Sequence, residues 1–428
     1  MERLTEFVIK HLNDDTSRLI LDRGKYPDID IDLAVSCIES RRKLKGKVQE
    51  WYEQDGMIFP LKLSAEQCSS SATGKYKAEL AERIVKGFLD SLRSLEMTEE
   101  QSDSGNREWT IADLTGGLGV DSWFFSQKAS KVVYCEMQDP LCKAATHNYK
   151  ILNAENIIVN NMMVTSESCK MLTEYAPDII YMDPARRGEG GKKVFLIEDC
   201  TPDVIGLKEN LFKISRHLLI KLSPMADITM VCDRLGDTCR EVHVVATGGE
   251  CKELLIWMDR EWHQEATIHA VELNSTGIIG TFRFTPSDER SDGQVTPLTH
   301  ITCQSDLLLF EPGKALMKAG PFNLIASRFG ICKLGKSTHY YTTDSPEKAE
   351  DLKKYGKVFA IKEWLTLDKR NIKEVGKKYP KAEVTARNIP MDTDTLRKKL
   401  GITSGDDAHI FGLKSDAEGN LLIVTDRI

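Results

Sequence analysis

Between Trp109 and Ser122 the chain reads Trp-Thr-Ile-Ala-Asp-Leu-Thr-Gly-Gly-Leu-Gly-Val-Asp-Ser, an apolar run broken by Asp113 and then by Gly117-Leu-Gly119. Such a run predicts a buried strand that ends in a glycine turn and feeds a helix, the device with which open α/β sheets cradle a nucleotide. A lone Gly-x-Gly after a strand is often only a tight turn. Here three further features follow in order: Glu136 closing Val132-Val-Tyr-Cys-Glu, a helix with an Asn153-Ala-Glu-Asn156 exit, and Asp183-Pro-Ala-Arg-Arg187 after the apolar run Ile179-Ile-Tyr-Met182.

In a dinucleotide turn the residue a few places before the first glycine is apolar and a third glycine follows. Asp113 and Ser122 hold those places here, which favours S-adenosylmethionine over NAD. At 428 residues the chain exceeds one ordinary core and predicts two to four domains. There is no run of about 18 apolar residues, so no membrane span is expected. The opening Met1-Glu-Arg-Leu-Thr-Glu lacks the pattern of a secretion signal, so the expected location is cytoplasmic. Eleven cysteines without a Cys-x-x-Cys pair predict reduced thiols and no metal centre.

Residues 1–95 carry apolar positions at helical spacing and predict a small helical domain. Candidate parallel strands then follow at 109–114, 131–135, 156–160, 178–182, 217–222 and 241–246, separated by helical or mixed segments. The fold class expected is α/β: a doubly wound, Rossmann-like core over 108–265, after the N-terminal helical domain and before C-terminal α+β domains. Those last are a small α+β domain over 266–345 and a closing domain over 346–428 that holds two Lys-rich helices.

Glycine at 117 and 119 lets the backbone approach a ligand. Asp113 could hold a methionine ammonium directly or through water, and Glu136 is spaced to accept ribose hydroxyls. Asn160 or Asn161 could contact adenine, although paired asparagines after a strand are also ordinary turn chemistry. The Asp183-Pro184 turn lies where open α/β sheets bind ligands. A carboxylate and a proline-fixed carbonyl there can orient an exocyclic amine and take up its developing charge. Arg186 and Arg187 can stack on a base or bind phosphate. Lys221 and Ser223 close a later strand at the same edge, and no cysteine is expected there for a covalent mechanism.

On these residues the chain resembles class I S-adenosylmethionine-dependent methyltransferases, within the bacterial group whose C-terminal part is called THUMP-like after an RNA-binding module. The resemblance extends to Glu66-Gln-Cys-Ser-Ser-Ser-Ala-Thr-Gly-Lys-Tyr-Lys77, Lys221-Leu-Ser-Pro224, Glu311-Pro312 with Ala315-Leu-Met-Lys-Ala-Gly320, and Arg387-Asn-Ile-Pro390. It implies a methyltransferase core in which Asp113, Gly117, Gly119 and Glu136 hold the cofactor and Asp183 to Arg186 line the acceptor site. Amino-methylating relatives carry Asn or Asp, Pro, Pro and an aromatic residue. Ala185 and Arg186 stand in the last two places here.

From Lys362 to Lys399 there are eleven Lys and Arg against six Asp and Glu, on a chain of net charge −7. That local excess, with the resemblance, points to structured RNA, tRNA or rRNA, methylated at an amino or ring nitrogen. Two alternatives stay open: methylation of a protein or small molecule, and a non-catalytic RNA-binding or assembly protein with the same fold.

Overall fold

A computed structural model describes residues 2–95, 108–186, 197–291 and 306–428. The chain divides into two compact units, one formed by Met1–Val242, Glu253–Ala266 and Leu273–Gly277, the other by His243–Lys252, Thr267–Glu272 and Ile278–Ile428.

The first unit opens with helices α1 (Glu2–Lys10), α2 (Thr16–Leu21), α3 (Ile31–Leu44), α4 (Gln49–Tyr52), α5 (Lys62–Gln67) and α6 (Ser71–Leu95). Asp15 and Asp30 start α2 and α3 by accepting the N–H groups of Ser17 and Leu33. Helix α3 buries Ile31, Ala34, Val35 and Ile38, the apolar spacing of one helix face.

Next come β1 (Thr110–Asp113), α7 (Val120–Ser126), β2 (Lys131–Glu136), α8 (Asp139–Ile151), β3 (Ile157–Asn161), β4 (Ile179–Met182), β5 (Ala185–Arg186), β6 (Cys200–Thr201), α9 (Val204–Phe212), β7 (His217–Leu222), α10 (Ile228–Leu235), β8 (Cys239–Thr247) and β9 (Glu250–Asp259). The helical segment packs directly on this core: a Cβ on Gly74 of α6 would lie 2.2 Å from the Phe124 ring of α7. Asn148 of α8 bonds both the N–H and the carbonyl of Ile58, at 2.8 Å each.

A nine-stranded sheet includes the run β9-β7-β4-β1-β2-β3, and every pair from β7 to β3 is parallel. Strand β1 is flanked by β2 and β4, so the winding reverses there and the turns after β1 and β4 share the C-terminal edge.

One strand expectation is corrected. The segment 241–246 is not the next parallel strand: β9 lies antiparallel on β7, with Lys221 opposite Leu255. Gly248 and Gly249 join β8 to β9, both at positive φ, 61° and 78°. That pair is the sequence mark of a two-residue hairpin, and it identifies Leu254-Leu-Ile-Trp-Met258 as a strand rather than a helical segment.

Strands β8 and β9, with β10 (Thr267–Asn274) and β11 (Gly277–Phe284), contribute residues to both units. The second unit continues with α11 (Pro286–Ser291), β12 (Leu308–Pro312), α12 (Lys314–Ala319), α13 (Phe322–Phe329), β13 (Cys332–Lys333), β14 (Tyr341–Thr343), α14 (Pro346–Leu352), β15 (Gly356–Thr366), α15 (Lys369–Lys378), β16 (Lys381–Arg387), α16 (Thr393–Leu400), β17 (Thr403–Ser415) and β18 (Gly419–Arg427).

Its sheet has the order β13-β14-β12-β15-β18-β17-β16, antiparallel except for the β16–β17 pair. The run Leu421-Leu-Ile-Val424 is apolar throughout because both faces of β18 are covered. Leu422 and Val424 pack with Ile372 and Val375 of α15 and Leu396 and Leu400 of α16, whereas Leu421 and Ile423 pack with Phe359 and Phe411. Among the described residues no helix is long and apolar enough to cross a membrane.

Candidate functional site

The site is built at the C-terminal edge of β1, β2, β4 and β7. Strand β1 ends with Asp113 buried, and its carboxylate faces inward: Oδ2 accepts the Ser122 hydroxyl at 2.5 Å and Oδ1 accepts the Thr115 N–H at 3.0 Å. Burial pushes this carboxyl up to about 7, with the neighbouring Asp121 and Asp183 adding to the rise against the two hydrogen bonds. Both Asp113 oxygens thus accept hydrogen bonds that shape the turn.

The turn is cradled from below. Gly117 and Gly119 take positive φ, 54° and 93°, a conformation open to glycine and costly for other residues. The Tyr134 and Tyr149 hydroxyls donate to the carbonyls of Gly117 and Gly119 at 2.7 and 3.0 Å. A Cβ on Gly116 would meet the Tyr134 ring at 2.1 Å, and one on Gly119 would meet the Tyr149 hydroxyl at 2.3 Å. At Gly117 a Cβ would find only the Thr115 carbonyl, 3.7 Å away. The turn is thus packed on the protein side at 116 and 119 and open at 117. At 119 both the positive φ and the Tyr149 hydroxyl demand glycine.

Glu136 closes β2 beside this opening. Its Oε2 accepts the Gly117 N–H at 3.0 Å and its Oε1 the Gln138 N–H at 2.8 Å, which leaves each oxygen a further lone pair for hydroxyl donors. Asn161 uses its amide to donate to the Glu136 carbonyl at 3.0 Å and to the Cys142 sulfur at 3.3 Å. Asn160 has a buried amide nitrogen with no hydrogen-bond partner among the described residues.

Asp183 is tied to the glycine turn through its backbone: its N–H donates to the Thr115 hydroxyl at 2.6 Å. Its side chain is 39% exposed, and Oδ2 is ion-paired with Lys221 of β7. The pair is set by register, because Tyr181 lies opposite Leu219 and two residues further along each strand bring Asp183 and Lys221 to the same place. Pro184 is buried behind the turn, and Arg186 pairs through its backbone with Cys200. Arg187 lies outside the described residues. Ser223 accepts the Met225 N–H at 3.3 Å and shapes the exit of β7.

Several contributors escaped the reading of the sequence. Lys77 of α6 is fully buried with Asp121, Glu253 and Ser69, and Tyr181 donates to Asp121 at 2.8 Å. The signal for Ser69 and Lys77 was the flanking motif 66–77. For Glu253 there was only a carboxylate beside an apolar strand. Although burial pulls the Lys221 ammonium down, Asp183, Glu253 and Asp121 outweigh it and hold the group well above the usual lysine range. Cys68, in the 66–77 motif, has its thiol pushed up by burial.

Residues 356–427 match a family described as THUMP domain-like, and residues 308–349 match a ferredoxin-like domain family. No curated protein matches the chain. The crystal structure of a candidate methyltransferase from Porphyromonas gingivalis W83 is similar over 99% of this chain and 97% of its own, at 29% identity and a TM-score of 0.81. Weaker likenesses are confined to part of the chain. An rRNA methylase from Streptococcus thermophilus covers 36% of this chain and 87% of its own at 12% identity, TM-score 0.27. TrmK from M. capricolum, in complex with S-adenosyl-homocysteine, covers 37% and 65% at 10% identity, TM-score 0.28.

Proposed function

We propose, from a chain that combines a class I methyltransferase fold with a THUMP-like C-terminal domain, that it transfers a methyl group from S-adenosylmethionine to structured RNA. The acceptor in this reading is an amino or ring nitrogen of tRNA or rRNA, and the reaction takes place in the cytoplasm. The working divisions are 1–95, 108–265, 266–345 and 346–428. The observation that carries the reading is the Thr115 hydroxyl, which joins the glycine turn to the Asp183-Pro184 turn and so couples a nucleotide cradle to a carboxylate at one sheet edge.

The residues fit the cofactor. Gly117 offers open backbone, Glu136 keeps lone pairs for ribose hydroxyls, and the orphaned Asn160 amide, beside Asn161, is a donor for a base. S-adenosylmethionine supplies an electrophilic methyl group when bound. Methyl transfer of this kind depends on alignment more than on a strong base. Asp183 has one oxygen held by Lys221 and the other free to accept an acceptor N–H, so its carboxylate orients the nitrogen and offsets the charge that develops on it. Arg186, Arg187 and Ser223 complete the acceptor side in this proposal.

Mass spectrometry of cellular RNA from strains with and without the gene tests the reading. One methylated nucleoside should be missing without it and should return with the parent gene but not with Asp183→Ala. An unchanged RNA profile, with transfer to protein or small molecules instead, would sink the RNA substrate and keep the methyltransferase.

A further inference from the structure

Lys77 belongs to helix α6, outside the nucleotide-binding elements, yet its side chain is 0% exposed and ends among the acidic groups behind the site. Its ammonium donates to both oxygens of Glu253 at 3.0 Å and to Ser69 at 2.6 Å, and lies 3.1 Å from Asp121. Glu253 stands on β9 two residues from Leu255, the residue opposite Lys221, so Glu253 and Lys221 share one face of the sheet. Three carboxylates, Asp121, Asp183 and Glu253, therefore compete for two ammonium groups, Lys77 and Lys221.

A buried carboxylate without a partner is strongly disfavoured. Were Glu253 unpaired, the nearby Lys221 would be drawn to it and away from Asp183. Lys77 prevents this by occupying both oxygens of Glu253.

We infer that Lys77 is a positioning residue: by holding Glu253 and Asp121 it leaves Lys221 to Asp183, and so fixes the carboxylate that faces the acceptor. The helical N-terminal segment thereby completes the site rather than decorating it. This rests on the methyl-transfer reading, in which the orientation of Asp183 matters to the rate. The raised Lys221 ammonium agrees with a cation shared among three carboxylates.

The test is single-turnover methyl transfer to total tRNA by the full-length chain at saturating S-adenosylmethionine, with cofactor affinity measured by calorimetry. Lys77→Met should slow transfer by about tenfold or more while cofactor affinity stays within about threefold. Glu253→Gln alone should transfer within about threefold of the parent, because it removes the competitor. The double variant Lys77→Met with Glu253→Gln should recover part of the lost rate, compared per folded, cofactor-binding molecule, because removing the unpaired Glu253 charge also restores stability. Should methionine not be tolerated, Lys77→Gln keeps hydrogen bonds without the charge and carries the same expectation. A folded, cofactor-binding Lys77 variant with parental rate overturns the role of Lys77 alone. A parent that transfers no methyl group to RNA overturns the functional reading, and the inference falls with it.

Discussion

At Asp183 one carboxylate answers to two constraints, the Thr115 hydroxyl on its backbone and Lys221 on its side chain. Removing the carboxylate leaves the glycine turn and Glu136 in place. Asp183→Ala should therefore hold cofactor affinity within a few-fold and lower the single-turnover rate by roughly 10²-fold or more. Asp113 carries the opposite kind of prediction, on stability. Its folded pKa of about 7 lies above the ordinary 3.8, so its contribution favours the fold fully at low pH and is lost as pH rises through about 7. Asp113→Asn removes that titration. Between about pH 4 and pH 7, denaturant midpoints of the variant should rise relative to the parent, and parallel curves would show that Asp113 does not titrate there.

At the scale of elements, helices α15 and α16 carry the basic excess read from the sequence, and the structure divides it. Arg370 pairs with Glu374 and Lys378 with Glu363, which leaves them less free for phosphate. Lys369, Lys373 and Lys377 fall at successive fourth positions along α15, exposed and without an ion pair among the described residues. Converting these three to Glu should flatten the salt dependence of tRNA binding, which otherwise falls by a slope of roughly −0.7 to −0.9 per phosphate neutralised. Cofactor affinity should not change, and identical salt curves would mark the stripe as a solvated face. The two helices also touch at Gly376, where a Cβ would lie 1.9 Å from the Leu400 carbonyl. Alanine in a helix normally gains up to about 1 kcal/mol over glycine, but this clash outweighs it. Gly376→Ala should cost about 1 kcal/mol or more, seen as a lower unfolding midpoint.

For the whole molecule, the flanking motifs that set this chain apart serve each unit differently. In the first unit, Ser69 and Lys77 reach the charged cluster behind Asp183. In the second, the motifs brace the fold. Asn388 takes a φ of 58° and donates to the Ser337 carbonyl at 2.6 Å, and Tyr340 donates to Glu311 at 2.7 Å. A motif match alone would not have separated these roles, since both kinds are polar residues beside glycine or proline. Cells lacking the gene provide the test at this scale: tRNA or rRNA modification should change while membrane fractions do not.

Local order along the chain determined much of this protein. The glycine turn, Glu136 and the Asp183-Pro184 turn sit where their strand ends place them, because a parallel sheet brings every C-terminal strand end to one edge. The helical character of the segment before the core was legible from apolar spacing, though not its division into six helices, and β18 was legible from its continuous apolar run. What only the tertiary structure decided involves partners far apart in sequence. That β9 rather than β8 takes the place beside β7 is a choice of neighbour that the local glycine hairpin does not record. Tyr134 and Tyr149 look like core aromatics until their hydroxyls meet the turn. The charge cluster of Lys77, Asp121, Asp183, Lys221 and Glu253 draws on helices and strands up to 176 residues apart. No local pattern records such a cluster, because the cost of burying each charge is offset only when the fold brings its partner to it.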